Sequence, residues 1–292
     1  MPQLKVTLDD TSPLISYSGN WQSGNNPGAP DTAANLYYAS TFTMTTDNSA
    51  TATIQWQGAG DISVYGSKRG NHGRYKMTLD NVQSIGTGFA TNPELFQQQL
   101  FTKTVGNGDH TLQINDVRVG TDQVFIDLDY VVITSDVGAN TATADSSNDA
   151  FSFSDSWSVT RTGMSTSRSG DSVTLPFSGD SIEIYGLVGG SAGAYTVTID
   201  QNNPQSFSAY NQYHVLAGQI LFIARGLSDG PHTVVLTNTP DGRGNTLSVA
   251  RVSVHGSNPL IGQTSAPAPS NQLSFPPAQQ SSPAKQPEPN TG

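Results

Sequence analysis

The chain has 292 residues, of which 35% are hydrophobic and only 12% charged, with a formal net charge of −10 and no cysteine. A cysteine-free chain excludes disulfides, thiolate metal sites and a cysteine nucleophile. The acidic balance argues against general nucleic-acid binding, whose affinity comes largely from neutralised phosphates. No apolar run approaches the roughly 18 residues of a spanning helix.

Taken in chain order, the opening MPQLKVTLDD lacks the apolar core of a secretory leader. Alternation of apolar and polar residues then dominates. It runs through ISYSGNW (15–21), TATIQW (51–56), ISVY (62–65), YKMTL (75–79), TLQI (111–114) and VFIDLDYVVI (124–133). Period-2 segments bounded by Gly, Asn and Asp predict strands. No amphipathic helix of ten residues is expected; NPELFQQQLF (92–101) is read as one helical turn before a strand.

The second half repeats the first. ISYSGNW answers FSFSDSW (151–157), and the stretch from Ser49 to Asn81 answers the one starting at Asp171. LFTKTVGNGDHTLQI (100–114) answers LFIARGLSDGPHTVVL (221–236), and FIDLDYVVITSD (125–136) answers TLSVARVSVHGS (246–257). Blocks recurring in one order predict two copies of one domain, each closing its own core as a sandwich of two sheets. The expected class is therefore all-β, with β-sandwiches over residues 1–138 and 139–256. Trp21 should match Trp157, Tyr65 should match Tyr185, and His110 should match His232. Residues 257–292 are rich in Pro, Ser and Gln and are expected to form a disordered tail or stalk.

The motif order ISYSGNW, ANLYYASTFTMTT, YGSKRGNHGRYKMTLD, FQQQLF, GDHTLQI, IDLDYVVITSD resembles an extracellular module of basidiomycete fungal surface proteins. That module is often tandem and followed by a Ser/Pro stalk. More broadly it is similar to the galactose-binding-like jelly roll of carbohydrate-binding modules. The resemblance covers residues 4–256 and is specific in the first copy, looser in the second, where LVGGSAG replaces KRGNHG. It implies a secreted or cell-surface location and contact with a polysaccharide or other glycan.

Several side chains are candidates for that contact. Four of the thirteen Lys and Arg residues fall at Lys68, Arg69, Arg74 and Lys76, around a loop with Asn71 and His72. Lys68, Arg69, Asn71 and His72 are expected to crown a tight glycine-shaped loop, with Arg74 and Lys76 alternating on one strand face, and Lys68, Arg69, Asn71, His72 and Arg74 are expected to face a ligand. The bland alternative is a solvated hairpin that offsets neighbouring acids. The second copy lacks these charges, so folding alone does not demand them. Tyr38, Tyr210 and Tyr213 supply candidate sugar-stacking rings. Trp21, Trp157 and Trp56 are assigned to the core, and His110 and His232 to structural hydrogen bonds. Glycosidase chemistry needs two carboxylates across a cleft; Asp127 and Asp129 alternate in IDLDY and so share one face, the second copy has neither, and no catalytic residue is assigned. No catalytic zinc or EF-hand spacing occurs. No cofactor is expected, a structural Ca²⁺ stays open with no ligands named, and the metal ligands and oligomeric state are unknown from sequence. Three functions compete: a non-catalytic lectin-like carbohydrate-binding protein, which leads; a β-sandwich glycoside hydrolase or polysaccharide lyase; and a purely structural surface ectodomain.

Overall fold

The structure is a computed structural model that describes residues 3–262 except Pro27, Ala29, Val119 and Gln201. Strands in the first half are β1 (Gln3–Asp9), β2 (Ile15–Ser18), β3 (Trp21–Ser23), β4 (Thr43–Thr45), β5 (Thr51–Gln57), β6 (Gly60–Lys68), β7 (Arg74–Leu79), β8 (Val82–Thr87), β9 (Leu95–Val105), β10 (Asp109–Asp116), β11 (Ile126–Leu128) and β12 (Tyr130–Asp136). Those in the second half are β13 (Asn140–Asp145), β14 (Ser152–Phe153), β15 (Ser158–Thr160), β16 (Gly163–Thr166), β17 (Ser172–Gly179), β18 (Ser181–Val188), β19 (Ala194–Ile199), β20 (Gln205–Ser208), β21 (Leu216–Ala224), β22 (Gly230–Asn238), β23 (Leu247–Gly256) and β24 (Leu260–Ile261). The described helical segments are two single 3₁₀ turns, Ala34–Leu36 and Tyr38–Ser40. The protein is all-β.

Alternation decides which side chains turn inward. In β5, Ala52, Ile54 and Trp56 are buried while Gln55 and Gln57 face water; in β17, Val173, Leu175 and Phe177 are buried. First-half strands form sheets ordered β1-β12-β6-β9, β2-β5-β10-β7-β8 and β11-β4-β3. Second-half strands form β15-β16-β23-β18-β21, with β13 on β23, and β14-β17-β22-β19-β20, with β24 on β17. Inward side chains make one apolar core around Leu8, Ile54, Val64, Leu112 and Ile133, and another around Phe177, Ile184, Tyr195, Val234 and Val252. This is β-sandwich packing.

Matching contacts occur in both halves. His110 lies opposite Trp56 across β10 and β5, and His232 lies opposite Phe177 across β22 and β17. Each ring is bonded through Nδ1 to an aspartate, His110 to Asp80 at 2.7 Å and His232 to Asp200 at 2.5 Å. Through Nε2 they reach the carbonyls of Gly106 at 2.8 Å and Ser228 at 2.7 Å. The same aspartates accept from the next backbone amides, Thr111 and Thr233, at 2.8 Å each. Tyr75 donates to the Leu100 carbonyl at 2.7 Å, and Tyr195 to that of Leu221 at 2.6 Å. The halves also touch: Ile223 of β21 is buried in the first core, with Phe207 and Ile220 packed against it.

Two expectations change. Residues 92–101 hold no helical turn, because Leu95–Val105 finds a backbone partner along β6, from Leu95 opposite Lys68 to Val105 opposite Gly60. Sheet pairing also continues past Gly256. Ile261 sits opposite Phe177 and packs on the second core, which ties residues 260–261 to the sandwich. The rest of the expected tail, 263–292, lies outside the described residues.

Each His–Asp corner spans two strands of one sheet. Asp80→Ala and Asp200→Ala should each lower unfolding free energy by about 1–2 kcal/mol, as expected for charged hydrogen bonds. Urea denaturation of the two variants should show similar losses.

Candidate functional site

The basic loop between β6 and β7 faces largely inward. Arg69 donates to Asp31 at 2.6 Å, lies 3.1 Å from Glu94, and places its guanidinium 5.6 Å from the Phe96 ring centre. His72 is 3% exposed, so the expectation that it crowns the loop does not hold. Its Nδ1 lies 2.8 Å from Asn71 Oδ1, which occupies part of an otherwise exposed Asn71. Lys68 is half-buried, and Arg74 is exposed at the start of β7. Gly73 has a framework role. Gly73 N donates to the Phe125 carbonyl, and its second-half counterpart Gly193 makes the same bond to Thr246. The loop backbone therefore closes alike with and without the charges.

Two loop side chains instead help hold an excursion from the sandwich, residues 24–42, Arg69 through Asp31 and His72 through Asp127. This carboxylate is 4% exposed. It accepts from Ser67 N at 2.7 Å, Ser67 Oγ at 2.5 Å, Tyr37 Oη at 2.6 Å and His72 Nε2 at 2.8 Å. Burial alone would raise its pKa, but the bonds from His72 and Ser67 outweigh that and hold it below the usual carboxylate value. Gly66 permits the approach, since a Cβ there would meet Asp127 Oδ1 at 2.7 Å. Ser67, His72 and Asp127 are not a nucleophile relay. Ser67 and Asp127 both engage His72 Nε2, whereas a relay needs the nucleophile and the orienting acid on opposite nitrogens of the histidine base.

Beside this cluster lie three more buried carboxylates. Asp9 accepts from Thr41 Oγ1 at 3.1 Å, Asp10 from Thr43 Oγ1 at 2.6 Å, and Asp129 from Tyr38 N at 2.9 Å. Asp10 Oδ1 and Asp129 Oδ2 have no partner among the described residues. Burial raises Asp9, burial and the Asp9 charge push Asp10 well above its ordinary value, and burial lifts Asp129 to about 7. Among the described residues no group of three His, Cys, Asp or Glu has the geometry to hold a metal ion. Burial favours the protonated form of Asp9, Asp10 and Asp129. Asp127 and Asp129, the alternating acids of IDLDY, are both buried, and neither lines the large cleft.

That cleft, of about 650 Å³, opens between the two halves. One wall comes from residues 10–17, β3, Thr43 and the outward residues Thr53 and Gln55 of β5; the other comes from β20, residues 210–213, Asp241 and Arg243. Tyr17, Trp21, Phe207, Tyr210 and Tyr213 supply rings, and Gln22, Ser23, Gln205, Ser206 and Gln212 supply amides and hydroxyls. Tyr17 and Trp21 ring centres are 5.2 Å apart. Asn211 Oδ1 accepts from the amides of Tyr213 at 3.0 Å and His214 at 2.9 Å, a turn that presents Tyr213 at 37% exposure. Tyr213 Oη accepts from Asn26 Nδ2 of the excursion at 3.4 Å. Arg243 stands 5.8 Å from the Tyr210 ring centre, with its charge met by Asp241 at 2.6 Å. Such a surface packs ring faces on C–H groups and hydrogen-bonds hydroxyls, with little net charge.

Of the residues expected at a ligand, Tyr210 and Tyr213 come together here. Tyr38 stands apart on the first half, Lys68 ends β6, Arg69, Asn71 and His72 belong to the loop described above, and Arg74 begins β7. Sequence reasoning missed Tyr17, Phe207 and Arg243. It placed Trp21 wholly in the core because Trp157 matches it; Trp21 does pack on the first core and also lines the cleft.

No family model and no curated protein matches the chain. Among solved structures it is similar to a family two carbohydrate esterase from Cellvibrio japonicus, at 15% identity over 43% of this chain and a TM-score of 0.34. It is also similar to a Paenibacillus xanthan lyase, at 12% identity over 86% of this chain and a TM-score of 0.34. The chain spans 36% of the esterase and 26% of the lyase. A third similar structure is the CBM36-1 domain of a multidomain xylanase from the hindgut metagenome of Trinervitermes trinervoides, with 16% identity, 44% of this chain, 96% of that one and a TM-score of 0.29. At identities and TM-scores this low, no function carries over.

The Asp129 pKa of about 7 gives a pH test. A folded-state value above the unfolded one means stability is fully present below about pH 4 and is lost as pH rises through about 7. Asp129→Asn keeps the acceptor for Tyr38 N and removes that loss. Relative to wild type it should be neutral near pH 4 and more stable by roughly 2–4 kcal/mol at pH 8. Urea titrations at both pH values would show a pH-independent difference if the carboxyl is not protonated in the fold.

Proposed function

We propose that the protein is an extracellular, non-catalytic carbohydrate-binding protein and that the cleft between the halves receives the glycan. The observation that carries this is the lining: five aromatic rings interleaved with neutral amides and hydroxyls around about 650 Å³. Sugars present apolar C–H faces and dense hydroxyls, and this surface offers both complements. Residues 1–138 and 139–256 are two copies of one sandwich in this reading, supported by the paired His–Asp and Tyr–carbonyl contacts of the two halves. The first copy contributes Tyr17 and Trp21, the second Tyr210 and Tyr213. Binding without cleavage is favoured because the cleft's acids are Asp10, 1% exposed and bonded to Thr43, and Asp241, bonded to Arg243. Neither is poised as the acid or nucleophile of glycoside hydrolysis. The Ser- and Pro-rich tail composition and the acidic charge accord with a surface location and with a partner other than nucleic acid.

The full chain on a glycan array, with and without Ca²⁺, tests the reading. Binding should appear and Tyr213→Ala should weaken it about fivefold to tenfold, the range of one aromatic contact. No binding on the array, or release of new reducing ends from a bound polysaccharide, would overturn it.

A further inference from the structure

A row of three tyrosines outside the cleft lies on the β1-β12-β6-β9 sheet. Tyr65 of β6 and Tyr130 of β12 are direct cross-strand partners, with ring centres 4.4 Å apart and an interplanar angle of 9°. Tyr38 continues the row, 5.1 Å from Tyr130 and tilted by 48°, and is 41% exposed. Ile62 and Val64, on alternate β6 positions, are buried, so Ser63 and Tyr65 take the outer face.

The turn that presents Tyr38 is strained. Ala39 has φ 49° and Ser40 has φ 61°, left-handed values that side chains other than glycine, asparagine and aspartate seldom adopt. The surroundings impose this turn: Tyr38 N is bound to the buried Asp129, and Thr41 Oγ1 to the buried Asp9. Tyr65 Oη donates to Gln99 Oε1 at 3.3 Å, while Tyr38 and Tyr130 hydroxyls make no hydrogen bond among the described residues. The second half treats its matching tyrosine differently. Arg251 covers the Tyr185 ring at 3.7 Å, and Tyr185 Oη is bonded to Glu183 at 2.7 Å. There the ring is occupied; in the first half the row is open.

We propose that the Tyr38–Tyr130–Tyr65 row is a second carbohydrate contact, which stacks a pyranose on the exposed Tyr38 ring and offers two free phenol hydroxyls to its hydroxyls. This rests on the carbohydrate-binding reading of the protein but uses none of the cleft's residues. A sugar fits better than an apolar partner because the row is continued by Gln99 and by the Ser63–Thr102 hydroxyl pair, 2.9 Å apart. One polysaccharide engaging row and cleft on the same molecule gains by effective concentration.

Affinity electrophoresis of the full chain through gels containing xylan, mannan or a β-1,3-glucan tests the site. Wild type should be retarded by at least one polymer. Tyr38→Ala should weaken that retardation about fivefold, the size of one aromatic contact, while Tyr38→Phe keeps most of it. Tyr130→Phe, which removes only a hydroxyl, should weaken it about twofold to threefold. Combining Tyr38→Ala with Tyr213→Ala should abolish it. Retardation of Tyr38→Ala equal to wild type, with Tyr213→Ala impaired, would overturn the row and leave the cleft standing. Wild type passing unretarded through all three gels would overturn both.

Discussion

The buried carboxylate of Asp127 is the constraint around which the first half is arranged. An ionised carboxylate out of water costs several kcal/mol unless its oxygens are met by donors. Four bonds meet it here, from Ser67, Tyr37 and His72. Those donors come from β6, from the loop that follows it and from the distant excursion, so satisfying one charge fastens three segments. Arg69 adds a second fastening of the same loop to Asp31. Arg69 and His72 of the basic loop thus clamp a segment that the second half does not have, while Arg74 stays exposed.

The excursion shapes both candidate contact surfaces. Its Asn26 bonds Tyr213 across the mouth of the cleft, and its strained turn lifts Tyr38 over Tyr130. The second half, where β15 and β16 join by a short hairpin, supplies the opposite wall through residues 210–213 and 241–243. Asp9, Asp10 and Asp129 lie between these surfaces. They form a polar layer, with Asp129 bound to Tyr38 N on one side and Asp10 lining the cleft on the other, and burial favours the protonated form of each.

Much of the fold was legible because strand burial has period two. TATIQWQ shows its buried face by inspection, and the matched GDHTL and GPHTV segments led to His–Asp corners that recur in the structure. Loop side chains carry no such period. Nothing local to SKRGNHG says that Arg69 turns toward Asp31, 38 positions away, or that His72 turns toward Asp127, 55 positions away. The same limit hid the cleft: Tyr17 and Phe207 are adjacent walls only after two sandwiches pack. Residues 92–101 misled for another reason: Glu and Gln are good helix formers, but propensity is a weak prior and the open edge of β6 offers a stronger set of hydrogen bonds.

Hydrogen exchange on Asp127→Asn tests the clamp most directly. The amides of Tyr37, Ser40 and Thr41 bond within the excursion, while those of Ile54 and Leu112 lie in the core sheet. The account predicts that the excursion amides lose protection by at least about tenfold, the equivalent of roughly 1.4 kcal/mol, while the core-sheet amides keep theirs. Unchanged protection across residues 34–41 in a folded Asp127→Asn protein would contradict it.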